Sequence, residues 1–170
     1  MLKAHAQLMM TEKTLSLWRG FPKSGSVKVW VGEDDSLRNA LNLYHPYSSR
    51  GHFLANLIRF TPEGLTRRLL TEIRPTTATE ELAALSNIIR SKFEEKRVAI
   101  SFGAGTPGPH HKLTAQVSHE GRVVSYVKVG QGKAVSKLLR AEAKMLTWLP
   151  EQNFQAAAFP AVLALEQSQD

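Results

Sequence analysis

The chain has 170 residues, a formal charge of +7 and no cysteine, which fits one medium domain or a small domain with an extension and excludes disulfide scaffolds and thiolate zinc sites. No window approaches the ~20 apolar residues of a membrane span and the first ten residues lack a long apolar core, so a soluble, cytoplasmic protein is expected. The charge favours anionic partners such as phosphates, nucleic acid or an acidic membrane surface, while aspartate occurs only as Asp34, Asp35 and Asp170, leaving few carboxylates of the kind that hold magnesium or act as phosphotransfer base.

Residues 26–31, Ser-Val-Lys-Val-Trp-Val, are β-branched and aromatic in loose alternation, and Leu37, Leu41 and Leu43 follow at strand spacing within Leu37–Tyr44. Together they predict a hairpin across the small polar residues 32–36. The period then becomes helical. Phe53, Leu54, Leu57 and Ile58 form one stripe, Leu65, Leu69, Leu70 and Ile73 a second, and Leu82, Leu85, Ile88, Ile89 and Phe93 a third. Thr61, with Pro62 and Glu63 after it, is suited to start the second helix, Thr77 with Glu80 matches a capping box, and Pro75 separates the second helix from the third.

From Arg97 onward alternation returns. Val98, Ile100 and Phe102 make one run, Leu113, Ala115 and Val117 another, and Val123 to Val129 a third after the turn His119-Glu120-Gly121-Arg122, which predicts an antiparallel meander. A helix is expected over Ala134 to Leu149, ended by Pro150, and a last strand over Phe159 to Leu165. The pattern is that of an α+β protein, with a hairpin and helical extension over 1–96 and a sheet with one packed helix over 97–170.

Three features of the second part carry chemistry. Gly103-Ala104-Gly105-Thr106-Pro107-Gly108 is a glycine-rich turn, followed by Pro109-His110-His111-Lys112 and strand residues rather than by a helix. That sequel excludes the dinucleotide fingerprint, whose third glycine opens a helix. The turn is either a plain hairpin loop or a place where backbone amides approach a phosphate with no Cβ in the way. Glu142 stands at the centre of a stripe made by Leu138, Met145, Leu146 and Leu149. A carboxylate on a packed face requires a cation, and Lys128 on the preceding strand is the candidate. The alternative keeps Glu142 at the wet edge of the stripe and lets Lys128 reach solvent.

The ordered set of glycine turn, strand lysine and helix glutamate resembles the small N-terminal lobe of protein-kinase-like phosphotransferases of the aminoglycoside and choline kinase type, over roughly Arg97 to Leu165. The resemblance implies a nucleotide-phosphate cradle for ATP, with Gly103, Gly105 and Gly108 as loop glycines, Lys128 as phosphate contact and Glu142 as the partner of that lysine. The chain departs from the pattern at His110, where protein kinases place a valine over the adenine, at Pro107 and Pro109 in the loop, and at Tyr126, where they place a small alanine. Nothing after Glu142 resembles His-Arg-Asp or Asp-Phe-Gly. The implied protein is therefore an ATP-binding lobe, inactive unless a second lobe or a partner chain brings the base and the ligands for Mg2+.

Asp34 and Asn39 have the spacing of a catalytic-loop pair but precede the glycine turn and read as turn residues. His110 and His111 are adjacent, a poor spacing for one metal, and read as loop residues. Arg50, Arg59, Arg67, Arg68 and Arg74 surround apolar stripes that either pack on a core or rest on an acidic partner; aromatic residues are not interleaved with them as single-strand nucleic-acid binding would need. A non-catalytic module for an acidic partner, and a scaffold lobe or homodimer that covers apolar surface, are the alternative functions.

Overall fold

The computed structural model describes residues 18–22, 27–32, 34–46, 48–72, 77–93, 97–105, 108–152 and 158–166. Its frame is an antiparallel sheet of six strands in the order β3-β1-β2-β4-β5-β6, formed by β1 (Arg19–Phe21), β2 (Val29–Val31), β3 (Thr71–Glu72), β4 (Val98–Gly103), β5 (Leu113–His119) and β6 (Arg122–Val129). The fold is α+β, as the periodicities predict. The three longest strands are the expected meander, closed between β5 and β6 by Glu120 and Gly121, both at positive φ (49° and 73°) as a tight two-residue hairpin turn demands. β2 pairs with β4, Val31 opposite Ser101, so strands from the first and second parts of the chain share one sheet.

The alternation of side chains divides the sheet into two unlike faces. On one, Ile100, Phe102, Ala115 and Val117 are covered by Trp18 and by Leu82 and Ile89 of helix α4 (Thr77–Ser91). On the other, Phe21, Val29 and Val31 pack with Leu37, Ala40, Leu41 and Ile58, which belong to α1 (Leu37–Ala40), the 3₁₀ turn after it (Leu41–Leu43) and α2 (Ser49–Phe60). Further along that second face the sheet turns polar. There Asp35 accepts from Ser101 Oγ (2.6 Å) and Asn39 Nδ2 (2.9 Å), Asn39 Nδ2 also donates to Ser118 Oγ (2.6 Å), and Gln116 Nε2 donates to the Asn39 carbonyl (3.0 Å). Ser101, Gln116 and Ser118 are buried, and each bonds to Asp35 or Asn39, while Gln116 Oε1 has no partner among the described residues.

Several expectations need correction. Leu37–Tyr44 is not the second arm of a hairpin: Ser36 Oγ accepts from Asn39 N at 3.1 Å and starts α1, and the buried set Leu37, Ala40 and Leu41 has helical spacing. The second helix shrinks to α3 (Glu63–Thr66) and a 3₁₀ turn (Arg67–Leu69), because Thr71 and Glu72 join the sheet as β3 opposite Gly20 and Arg19. Thr61 does not cap that helix; its hydroxyl donates to the Leu57 carbonyl at 2.8 Å and ends α2. Residues 158–166 run outside the sheet rather than as a strand, with Glu166 paired to Lys92 at 2.6 Å. Ile73, Pro75 and the Thr77 side chain lie outside the described residues. Helix α5 (Lys133–Trp148), finished by a 3₁₀ turn (Leu149–Gln152), matches its prediction. Among the described residues no helix is long and apolar enough to cross a membrane.

Candidate functional site

Strand register builds the site. Gly103 of β4 stands opposite Thr114 of β5, and Thr114 opposite Lys128 of β6, so the start of the glycine turn and the lysine occupy one line across the sheet, two strand spacings or ~10 Å apart. Lys128 shares its sheet face with Tyr126 by the alternation of β6, and both side chains stand in solvent. The strand is followed by Gly130, where a Cβ would come within 2.1 Å of Val135 Cγ1. A bare backbone there lets the first turn of α5 close onto the sheet, and that closure carries Glu142 to the lysine.

Glu142 forms a hydrogen-bonded ion pair with Lys128. A second ammonium, from Lys112 just before β5, lies 3.6 Å from the other carboxylate oxygen. The side chains retain 33% of their exposure at Glu142, 42% at Lys128 and 31% at Lys112, which makes this a half-wet cluster and not the deeply buried pair that a carboxylate in mid-stripe suggests. The Glu142 carboxyl is held below its ordinary value by the hydrogen bond from Lys128; partial desolvation opposes this, and the charges of Lys128 and Lys112 add to it. The apolar stripe is rotated from the predicted one. Val135, Leu139, Leu146 and Leu149 are the covered apolar positions flanking Glu142, whereas Leu138 and Met145 face solvent.

The turn itself is shaped around glycine. Gly105 has φ 67°, and a Cβ on it would stand 2.3 Å from the Lys112 carbonyl oxygen, so the two arms touch backbone to backbone only because the side chain is absent. Ala104 N donates to the Lys28 carbonyl at 2.9 Å, and the His111 ring donates from Nε2 to the Ala104 carbonyl, which ties the arms to the residue before β2 and to each other. Gly108 sits in open space and its amide neighbour His111 closes a turn onto the Gly108 carbonyl at 3.0 Å. Thr106 and Pro107 lie outside the described residues. The arrangement brings Gly103, Gly105, Lys128 and Glu142 to one end of the sheet and adds Lys112, which sequence reasoning missed. Its signal was positional: a basic residue immediately before β5 falls beside the end of β6 once the β5–β6 register is known.

The chain matches no protein-family profile, no curated protein and no solved structure.

The chemistry must therefore be read from the residues. Two ammonium groups around one carboxylate leave a net positive charge at the mouth of a tight glycine turn, a combination suited to phosphoryl oxygens. It is not suited to Mg2+, because its carboxylate is already held by two cations and the ion needs free oxygen donors. Among the described residues no three His, Asp or Glu side chains converge as a metal site. Asp34 pairs with Arg90 at 3.7 Å, and Asn39 is spent on Asp35 and Ser118, in keeping with structural roles for both.

Proposed function

We propose that the chain is the nucleotide-phosphate-binding lobe of a kinase-like phosphotransferase, working in the cytoplasm and completed by a second lobe or a partner chain that supplies the base and the ligands for Mg2+. The observation that carries the reading is the ion pair between Lys128 and Glu142, with Lys112 beside it, at the glycine-turn end of the sheet. In this reading Glu142 holds the Lys128 ammonium in place and the two lysines contact the α- and β-phosphates of ATP. Gly103, Gly105 and Gly108 let backbone approach the same oxygens. ATP supplies the phosphoryl group when bound; this chain's residues bind and orient it and transfer nothing by themselves.

Equilibrium dialysis with labelled ATP tests it. Lys128→Met should weaken binding about tenfold or more, since a charge-assisted contact is lost, and Glu142→Gln should weaken it less. Equal ATP binding by Lys128→Met and the parent chain would end the proposal, and phosphate transfer by the 170-residue chain alone would contradict the need for a second lobe.

A second reading rests on α2. Phe53, Leu57 and Phe60 face solvent at helical spacing, Arg50 and Arg59 flank them, and the helix contains no acid. Such a face fits an acidic macromolecular partner, or a second copy that covers it. Polyanion binding that collapses with salt, together with no protection by ATP, favours this module over the nucleotide lobe.

A further inference from the structure

At the opposite end of the β5–β6 hairpin from Lys128 lies a cleft of about 330 Å³ lined by Ser36, Arg38, Asn39, Asn42, Arg59 and Gly121. From Arg122 to Lys128 the strand runs six residues, ~20 Å, so this cleft is separate from the proposed nucleotide site. Among the described residues its lining contains two guanidinium groups, two carboxamides and a hydroxyl, and no carboxylate. Asp35, beside the lining residue Ser36, has its oxygens taken by Ser36 N, Asn39 Nδ2 and Ser101 Oγ.

The two arginines are brought together by the fold. Arg38 on α1 donates from Nη2 to the Thr61 carbonyl at 2.9 Å, which lays its guanidinium against the end of α2, where Arg59 projects from the last turn. That hydrogen bond spends one of Arg38's five N–H donors, and among the described residues no carboxylate pairs with it. Among the described residues the side chains of Arg59 and Asn42 bond to nothing. Like charges gathered at one cleft repel, and a shared anion removes the repulsion while receiving N–H donors from guanidinium and amide groups.

We propose that this cleft binds a phosphoryl group of at least two negative charges, with Arg59 and Arg38 as charge partners and Asn42 as an amide donor. Its volume is at the lower end of small-ligand sites, which suits a phosphate ester or pyrophosphate rather than a whole nucleotide. A dissolved phosphate and a lipid headgroup share this chemistry, and the experiment separates them.

The test titrates inorganic pyrophosphate into the isotope-labelled 170-residue chain and follows amide and arginine Nε resonances. Saturable shifts at Gly121, the Asn42 side chain and Arg59 are expected. Arg59→Gln, a change at an exposed residue, should weaken them about tenfold or more, Asn42→Ala should weaken them less, and Lys128→Met should leave them unchanged. Shifts confined to the Lys112 and Lys128 region, or equal binding by Arg59→Gln with an unchanged melting temperature, would overturn the assignment. Sedimentation with vesicles containing phosphatidic acid decides the source: vesicle binding lost in Arg59→Gln assigns a headgroup, and pyrophosphate binding without vesicle binding assigns a dissolved ligand.

Discussion

Replacing Glu142 by glutamine removes the charge shared by Lys128 and Lys112 while keeping the side chain's shape. At 3.6 Å the Lys112 attraction is about 1 kcal/mol in water and about 5 kcal/mol at an effective dielectric of ~20. All three side chains keep roughly a third or more of their exposure, so the cluster belongs near the water limit. Holding three long side chains in one geometry offsets part of the gain, leaving about 0.5–1 kcal/mol per pair. Over the two pairs Glu142→Gln should therefore lower the melting temperature by about 2–8 °C at low salt, with much of that difference gone at ~1 M salt. The pH dependence has a fixed sign. A carboxyl whose folded-state value is depressed adds stability that is complete above its unfolded value and is lost as pH falls through the folded one. The stability gap between parent and variant should thus be flat above pH ~5, close below the ordinary 4.5, and vanish in stronger acid. Calorimetry across pH and salt, with Lys128→Met and the double variant completing the cycle, measures this. Additive single losses, or a gap that widens in acid, would refute the reasoning.

Other substitutions report on other parts of the fold. Gly105→Ala places a methyl against the Lys112 carbonyl at φ 67°, whereas Gly121→Ala at φ 73° meets open space; the second should cost about 1–2 kcal/mol for its backbone alone and the first clearly more, as read from denaturant midpoints. Ile58→Ala, at a buried position of α2, should cost about 2–5 kcal/mol, while Phe60→Ser on the solvent face of the same helix should change stability by under about 0.5 kcal/mol. Asn39→Leu removes the donor to Ser118 and to Asp35 and leaves both short of a partner, an expected loss of about 1–3 kcal/mol in urea unfolding. Ser36→Ala should cost about 1 kcal/mol through the lost cap of α1, and equal stability to the parent would return 37–44 to a nonhelical reading.

Where side chains repeat with one unambiguous period, the architecture was legible. The runs Val98–Phe102, Leu113–Val117 and Val123–Val129 alternate in sequence, Glu120-Gly121 supplies the positive φ of the hairpin, and the meander follows. The Lys128–Glu142 pairing was legible because a carboxylate among leucines needs a cation, although the face it occupies is Val135–Leu139–Leu146 instead of Leu138–Met145. Elsewhere two periods fit the same residues. Leu37, Leu41 and Leu43 satisfy strand spacing, while Leu37, Ala40 and Leu41 satisfy a helix, and the deciding signal was the Ser36 cap. β1 and β3 are only three and two residues long, too short for any period, and exist because β2 and β1 offer edges to pair. The polar network of Asp35, Asn39, Ser101, Gln116 and Ser118 joins residues up to 79 positions apart, and no local pattern announces it.

The pairing of β2 with β4 joins Val31 to Ser101 across an excursion that holds every described α-helix except α5. Severing the chain anywhere in that excursion and keeping only its later half would strip β4 of a neighbour and bare a row of amides and carbonyls to other molecules. Attempts to express the glycine-turn segment on its own should accordingly yield self-associating material, and adding back a peptide that spans Arg19 to Val31 should be the remedy.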